Sequence, residues 1–487
     1  MTPDAIKHNR WLILVIACMA QFMVVLDNTI VNVALPSIQR GLSFSPANLQ
    51  WVVDGYTLIF GGFLMLGGRA ADLLGRRRLF IAGVILFSAA SLLNGVAQSS
   101  TMLILGRGLQ GLGGALVSPA ALSIIMTTFE DTGERTRALG IWSAIAAGGA
   151  AFGLLLGGVL TDLVSWRWCF FVNVPVGIGA VLWALRSVPE SRAELGHRRF
   201  DAVGAVTVTG GLLAVVFGIV KAEAWGWGSG KTLAVMGAGF VLLALFVLLE
   251  SRSSAPLVKL SIFRVRSIST ANTVMLLVAS ALFGFFFFAS LYVQDILHYS
   301  PLKAGFAFLP ASLGIMIGAG ISQTVIKRIG VRNMTVIGIA LATAGMVVLT
   351  QLPVHGHYAA DLLTGLLPLA IGMGLTFVPI TLLATSGVDA DDAGLASGLF
   401  NSAQQVGGSL GLAILSTLAA DHTKSILSSA GHPLGTTAQV AARLAGYHLA
   451  FAAAAVALGA GAVLLVLLLR PRHVESVAYD TAIPVGA

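Results

Sequence analysis

The chain has 487 residues; 56% carry apolar side chains, a further 57 are glycine, and only 10% are charged. Soluble domains carry about 25% charged residues, so a soluble enzyme, a disordered protein and a disulfide scaffold are excluded together, and two cysteines, Cys18 and Cys169, set up no disulfide framework. The formal charge of +8 would suit nucleic acid, until the places of the charges are considered.

About 20 apolar residues cross a bilayer as a helix, and fourteen such runs are predicted: 12–34, 50–68, 79–97, 101–126, 138–160, 168–185, 202–220, 232–249, 268–291, 304–326, 334–349, 359–384, 394–418 and 444–469. The first is too long for a cleaved signal and lacks a small-residue cleavage site. An even count puts both termini on one side. Of the 29 Lys and Arg, 21 fall on that side, 7 on the other, and Arg107 within a span. The bias makes that side cytoplasmic. It also disposes of nucleic acid, because the bases are short anchors rather than one stripe.

In chain order, the first span carries Asp27 and Asn28, and the second carries Asp54. The fourth holds Arg107 and Gln110. Even lenient scales charge about 2.5–3.5 kcal/mol for an ionised side chain at a helix centre, so Asp27, Asp54 and Arg107 are the strongest functional signal. At 1.5 Å per residue, Asp27 lies roughly 22 Å from the inner edge of a core about 30 Å thick, and Asp54 and Arg107 roughly 6 and 9 Å below the outer edge. All three fit one layer. One arginine can neutralise one carboxylate; burial disfavours the charge on the other and the cation favours it, which outlines a proton site. The competing reading is a structural Asp–Arg pair, with Asp54 in ordinary interfacial water.

The fifth span carries Gly149, Gly153 and Gly157 at every fourth position, with Gly158 beside them, a face on which two backbones approach closely. Gly407, Gly408 and Gly411 stand in the thirteenth. The ninth has Phe283 and Phe285 to Phe288, so Phe283 and Phe286 are candidate walls of an apolar substrate cavity, joined by Asn28, Gln110, Asn401 and Gln404. Packing between helices is the other use for each of these. Gly230-Lys231-Thr232 and Gly106-x-Gly108-x-x-Gly111 imitate nucleotide motifs without the strands those motifs need, and His355 and His357 lack further ligands. Neither cofactor nor metal is expected.

Phe44-Ser45-Pro46 and Tyr299-Ser300-Pro301 are 255 residues apart, as are Gly75 and Gly330, and Arg77 and Arg332. The chain therefore reads as two related six-helix bundles, 1–190 and 261–475, with two linking helices inserted over 191–260 and a tail over 476–487. The same offset takes Asp27, Asp54 and Arg107 to Leu282, Leu309 and Leu362. The ionic layer would then belong to one half.

Several motifs carry a resemblance to a known family. Gly68-Arg-Ala-Ala-Asp72-Leu-Leu-Gly75-Arg76-Arg77-Arg78 resembles the signature loop of the major facilitator superfamily, with Ala70 where Leu is usual, and Arg107 with Gln110-Gly111 resembles its helix 4 signature. Leu26-Asp27-Asn28-Thr29-Ile30-Val31-Asn32-Val33-Ala34-Leu35-Pro36 and Trp166-Arg167-Trp168-Cys-Phe-Phe-Val-Asn173-Val-Pro175-Val-Gly177 are similar to motifs of its fourteen-helix drug:proton antiporters. Gly153-Leu154 departs from their usual Gly-Pro. The resemblance implies an all-α major facilitator fold of fourteen transmembrane helices and alternating access. It implies a cytoplasmic gate at Gly68, Asp72, Gly75, Arg76 and Arg77, and proton coupling through Asp27 and Arg107. The expectation is a bacterial plasma-membrane exporter, not an enzyme, exchanging protons for a bulky lipophilic small molecule, cations included, and acting as a monomer in the lipid bilayer. A proton-linked importer or lipid translocator on the same scaffold is the alternative, and a receptor or scaffold without transport is the alternative of another class.

Overall fold

A computed structural model describes residues 3–129, 131–191, 201–253, 256–385, 393–429 and 435–469. The predicted tail, 476–487, lies outside the described residues, and so does the side chain of Asp72. Among the described residues the regular structure is helical. In order it comprises α1 (Pro3–Leu42), α2 (Pro46–Leu49), α3 (Trp51–Leu74), α4 (Arg76–Gly95), α5 (Ser100–Thr128), α6 (Thr132–Leu163), α7 (Trp168–Phe171), α8 (Asn173–Ser187), α9 (Ala202–Trp225) and α10 (Gly230–Arg252). There follow α11 (Arg266–Leu291), α12 (Pro301–Ala307), α13 (Leu309–Ile329), α14 (Val331–Leu349), α15 (Leu363–Thr385), α16 (Ala393–Ser429) and α17 (Thr436–Leu468).

Twelve of the resulting helical stretches are long and apolar enough to cross a membrane among the described residues. The long helices α6 and α16 occupy the two remaining predicted spans. Some ends differ from expectation. The first predicted span ends at residue 34, yet α1 continues through Pro36 to Leu42. Proline removes one N–H from the ladder, a loss that helices packed in a membrane absorb. Later in the chain, α11 runs on through a wide turn over Tyr292–Ile296, which brings Gln294 and Asp295 into the ninth span.

The repeat is visible in the backbone. Ser45 caps the first turn of α2 by accepting from the N–H of Asn48 (3.3 Å), and Ser300 does the same for Lys303 at α12 (3.3 Å). Each short helix breaks, α2 after about one turn and α12 after about two, and the chain restarts as a longer one. Both long helices end at a left-handed glycine, Gly75 at φ 112° and Gly330 at φ 80°, a conformation that a Cβ would strain. Two residues on, the Arg77 guanidinium donates to Leu185 O near the end of α8 (2.6 Å), and that of Arg332 to Val466 O near the end of α17 (3.0 Å). Placing a cation on the last carbonyls of a helix satisfies orphan acceptors and the dipole together.

The chain divides into two compact units. The first comprises Met1–Val215, Gly237–Leu257 and Val293–Phe306; the second comprises Val216–Met236, Val258–Tyr292 and Ala307–Ala487. Within the first, α1 packs on α6, and α3 and α4 both pack on α5. Within the second, α11 packs on α16, and α13 and α14 both pack on α15. The helices α9 and α10 contribute residues to both units.

Candidate functional site: a buried ionic centre

The centre is assembled in the first unit from α1, α3, α4, α5 and α8. What fixes α1 is the glycine face of α6. Gly149 lies against Phe22 and Val25, Gly153 against Leu26 and Thr29, and a methyl group on Gly157 would stand 2.6 Å from Ile30 O. With no apolar driving force between helices in lipid, this close backbone approach supplies the packing. Gly158 faces Pro301 and Leu302 of the same unit instead. In the second unit, Gly407, Gly408 and Gly411 meet Leu276, Phe283 and Ser280 of α11 in the same way.

Asp27 is fully enclosed and Arg107 is 1% exposed. The Arg107 guanidinium pairs with Asp27 Oδ2, while Oδ1 accepts from Gln110 Nε2 (2.7 Å) and from Asn173 Nδ2 (2.9 Å). Three donors converge on one carboxylate, and hydrogen bonds to a charged group are the stronger kind, about 1.5–3 kcal/mol each. Behind them stand Ser91, whose Oγ accepts from Gln110 (2.7 Å) and Asn173 (2.9 Å), and Asn94, whose Nδ2 donates to Gln110 Oε1 (2.8 Å). Ser91, Asn94, Gln110 and Asn173 are all buried.

Arg107 does not depend on Asp27 alone. Its Nε donates to Val52 O (2.8 Å) and a terminal nitrogen to Gln110 Oε1 (2.9 Å). Its guanidinium carbon lies 4.4 Å from the centre of the Tyr56 ring and 5.9 Å from that of Phe170. A desolvated guanidinium over an aromatic face gains on the order of 2 kcal/mol. The cation therefore keeps a carbonyl, an amide oxygen and a ring face when the carboxyl is neutral.

Asp54 is also fully buried. It lies on the stretch of α3 that meets the arginine: Val52 and Tyr56 touch Arg107, and a methyl group on the intervening Gly55 would lie 3.3 Å from Ile104 O and 3.7 Å from Arg107 Cβ. Asp54 keeps no accessible surface, which does not fit an acid in ordinary interfacial water.

The candidate cavity residues are divided between the two units, Asn28 and Gln110 in the first and Phe283, Phe286, Asn401 and Gln404 in the second. Gln110, proposed from sequence as cavity lining, has no exposed surface and its hydrogen bonds are taken by the ionic centre; the correction follows from its position one turn from Arg107 on α5. Asn28 is half-buried beside Asp27. In the second unit, Phe283 packs on Gly408, and Phe286 lies edge-on to Phe285 (5.1 Å) and 6.2 Å from Phe308. Asn401 donates to Ser397 O of its own helix (3.0 Å), and Gln404 is half-buried.

Within the last turns of α3, Gly68 approaches Pro119, and at the turn that follows, Gly75 abuts Glu190. The backbone N–H of Arg76 donates to Ser191 O (3.0 Å), and that of Arg77 to Glu190 Oε1 (3.3 Å). Glu190 was not singled out from sequence. Nor was Arg167, which donates to Gly95 O (3.0 Å) and Ala97 O (2.6 Å) and so closes α4. This clamp explains the Trp166-Arg167-Trp168 motif physically: it docks the connection from which α8 starts, with Asn173 as its first residue. His448, on α17 and inside the fourteenth predicted span, places Nε2 2.8 Å from Leu352 O and was also missed.

Comparison with known proteins agrees with this architecture. The family model described as Major Facilitator Superfamily matches residues 17–412. The puromycin resistance protein pur8 of Streptomyces alboniger is 41% identical over 95% of this chain and 92% of its own length. The cephamycin export protein CmcT of Amycolatopsis lactamdurans is 38% identical, covering 84% and 85%. The multidrug resistance protein Stp of Mycobacterium tuberculosis is 36% identical, covering 85% and 76%. Among solved structures, a bacterial homologue of the human lysosomal transporter Spinster superposes with TM-score 0.68 at 16% identity, covering 99% of this chain and 100% of that one, a likeness of fold alone.

Proposed function

The chain belongs to the major facilitator superfamily and is a multi-pass membrane transporter, and on that premise we propose that it exports bulky lipophilic small molecules, cations among them, in exchange for protons. Its curated relatives are named for antibiotic resistance and export, which favours export over import and over a receptor without transport. The observation that carries the coupling is the ionic centre: a carboxylate in oil whose partner cation has independent support. A structural pair would strand its arginine on losing the carboxylate charge, and breaking such a pair costs roughly 3–5 kcal/mol. Here Val52 O, Gln110 Oε1 and the Tyr56 ring remain with Arg107. Asp27 is thereby able to take and release a proton without unfolding its surroundings.

In this reading Asp27 takes a proton from the outer side and releases it to the cytoplasm, with Asp54 in the same layer as a second acceptor. The halves 1–190 and 261–475 are the moving bodies, 191–260 the link, and the turn from Gly68 to Arg77 the inner latch. Phe283, Phe286, Asn401 and Gln404, with Asn28, are the side chains open to substrate. A potential of 100 mV is worth about 2.3 kcal/mol per charge, so one proton sustains a more than tenfold gradient of a neutral substrate. Both termini are cytoplasmic and the working unit is the monomer.

The test uses inside-out vesicles holding an imposed pH gradient, with puromycin as the first probe. Wild type should dissipate the gradient on addition of the probe, and Asp27→Asn should not; Asp54→Asn should retain part of the response. Full activity in Asp27→Asn removes the proposed proton site, and indifference to a broad panel of lipophilic cations favours an importer or lipid translocator.

A further inference from the structure

Resting on the reading of Asp27 as the proton site, we propose that Asn173 is a positioning residue whose side-chain amide turns over when Asp27 changes protonation state, so that one residue supports both the charged and the neutral carboxyl.

The grounds are an asymmetry between two amides that meet the same oxygen. Gln110 and Asn173 each donate to Asp27 Oδ1 and to Ser91 Oγ. The carbonyl oxygen of Gln110 is also occupied, accepting from Asn94 Nδ2 (2.8 Å) and Arg107 (2.9 Å). Turning that amide would set its NH2 against two other donors. Gln110 is locked.

Asn173 is not. Its side chain is fully enclosed, and Oδ1 accepts no hydrogen bond among the described residues. A buried carbonyl without a donor is costly, and such groups are rare enough in folded proteins to call for an explanation. While Asp27 is charged the cost is unavoidable, because the turned amide would set its oxygen against the carboxylate. Once Asp27 is protonated the situation reverses. A neutral carboxyl is a donor as well as an acceptor. Rotation about the last side-chain torsion of Asn173, one of the soft torsions, presents Oδ1 to the new O–H and to the Ser91 hydroxyl. Ser91 changes from acceptor to donor by rotating its proton. The proton added to Asp27 Oδ1 is the one taken from water; no other bond is made or broken.

Among the described residues, the other charged or titratable groups that face this centre are Arg107 on α5, Tyr56 on α3 and Cys169 on α7, and Asp54 is buried two residues before Tyr56. None of them donates to Asn173 Oδ1. Asn173 is also the first residue of α8, joined to the packed core by the Arg167 clamp only six residues earlier. A change in its hydrogen bonding acts at a helix start, where proton binding reaches the backbone.

The experiment is infrared difference spectroscopy of the full chain in lipid across a pH titration, with asparagine isotope-labelled at its side-chain carbonyl. A carboxyl band that disappears in Asp27→Asn should emerge with the same midpoint as a shift of a labelled amide band. The amide shift should be lost in Asn173→Leu while the carboxyl band remains. Asn173→Ser, which keeps a donor and an acceptor, stands in if Asn173→Leu does not fold, and must lose the shift as well. In Asn94→Leu the shift should persist. A carboxyl titration unaccompanied by an amide shift, or a shift that survives both Asn173 variants, overturns the amide switch and leaves Asp27 as a proton site. Absence of any Asp27 band overturns the proton reading itself.

Discussion

Where α4 crosses α5, Asn94 hydrogen-bonds to Gln110 (2.8 Å); where α14 crosses α15, Leu349 packs against Gly365, with 2.7 Å between the leucine Cδ2 and a methyl group placed on the glycine. The two pairs stand at the offset of 255 that relates Pro46 to Pro301. Gly83 against Val117 and Gly338 against Gly372 correspond in the same way. The same scaffold therefore carries polar side chains in one unit and apolar ones in the other. By the same offset Ser91 and Arg107 correspond to Met346 and Leu362, both buried. Since a buried polar group costs free energy unless fully partnered, and the second unit folds without such groups at these places, the polar centre is better explained by what it does than by what it holds together.

This comparison can be broken by substitution. The largest stability effect is expected for Arg107→Leu, which imports the second unit's solution while stranding the Asp27 carboxylate: about 3–5 kcal/mol, read as loss of thermal stability in detergent. The double variant Asp27→Leu with Arg107→Leu should recover most of it. If the single variant is as stable as wild type, the pair is not buried as described.

Next in size is overpacking of the glycine faces. Gly157→Leu and Gly411→Leu should each cost roughly 1–3 kcal/mol, and by similar amounts, because both faces press on a partner helix. Gln110→Leu should cost about 1–3 kcal/mol through the donors it strands, and Leu349→Ala about 2–5 kcal/mol through the cavity it leaves; the first should impair pH-driven exchange and the second should not. The smallest effects are reserved for the matched caps. Arg77→Ala and Arg332→Ala should each lose about 0.5–1.5 kcal/mol of stability, and a gate role for the turn after α3 predicts that only Arg77→Ala also changes transport.

What was legible in the sequence follows from how few residue types can serve a given purpose. Pro46 and Pro301 start helices and Gly75 and Gly330 reverse the chain because little else fits, so the repeat could be read directly. Asp27, Asp54 and Arg107 stood out because ionisable groups are rare in oil. Neutral polar side chains are not rare there, so nothing local marks Ser91 or Asn94, which lie on α4 and join the centre only through folding; Asn173 stands in a quoted motif, but its partner Asp27 lies 146 residues away. Gln110 was misplaced for the same reason: a glutamine in a span suits a cavity wall and a buried network equally. Arg167 and Glu190 sit near helix ends, and the hydrogen bonds that give them their place go to backbone atoms that no sequence displays.

With Asp27 as the proposed coupling site, binding of substrate should release a proton from it. Proton release can be followed in weakly buffered detergent solution as the purified chain is titrated with puromycin, in wild type and Asp27→Asn. Release of about one proton per molecule bound in wild type and none in Asp27→Asn is predicted; binding without release in wild type, or equal release in both, would contradict it.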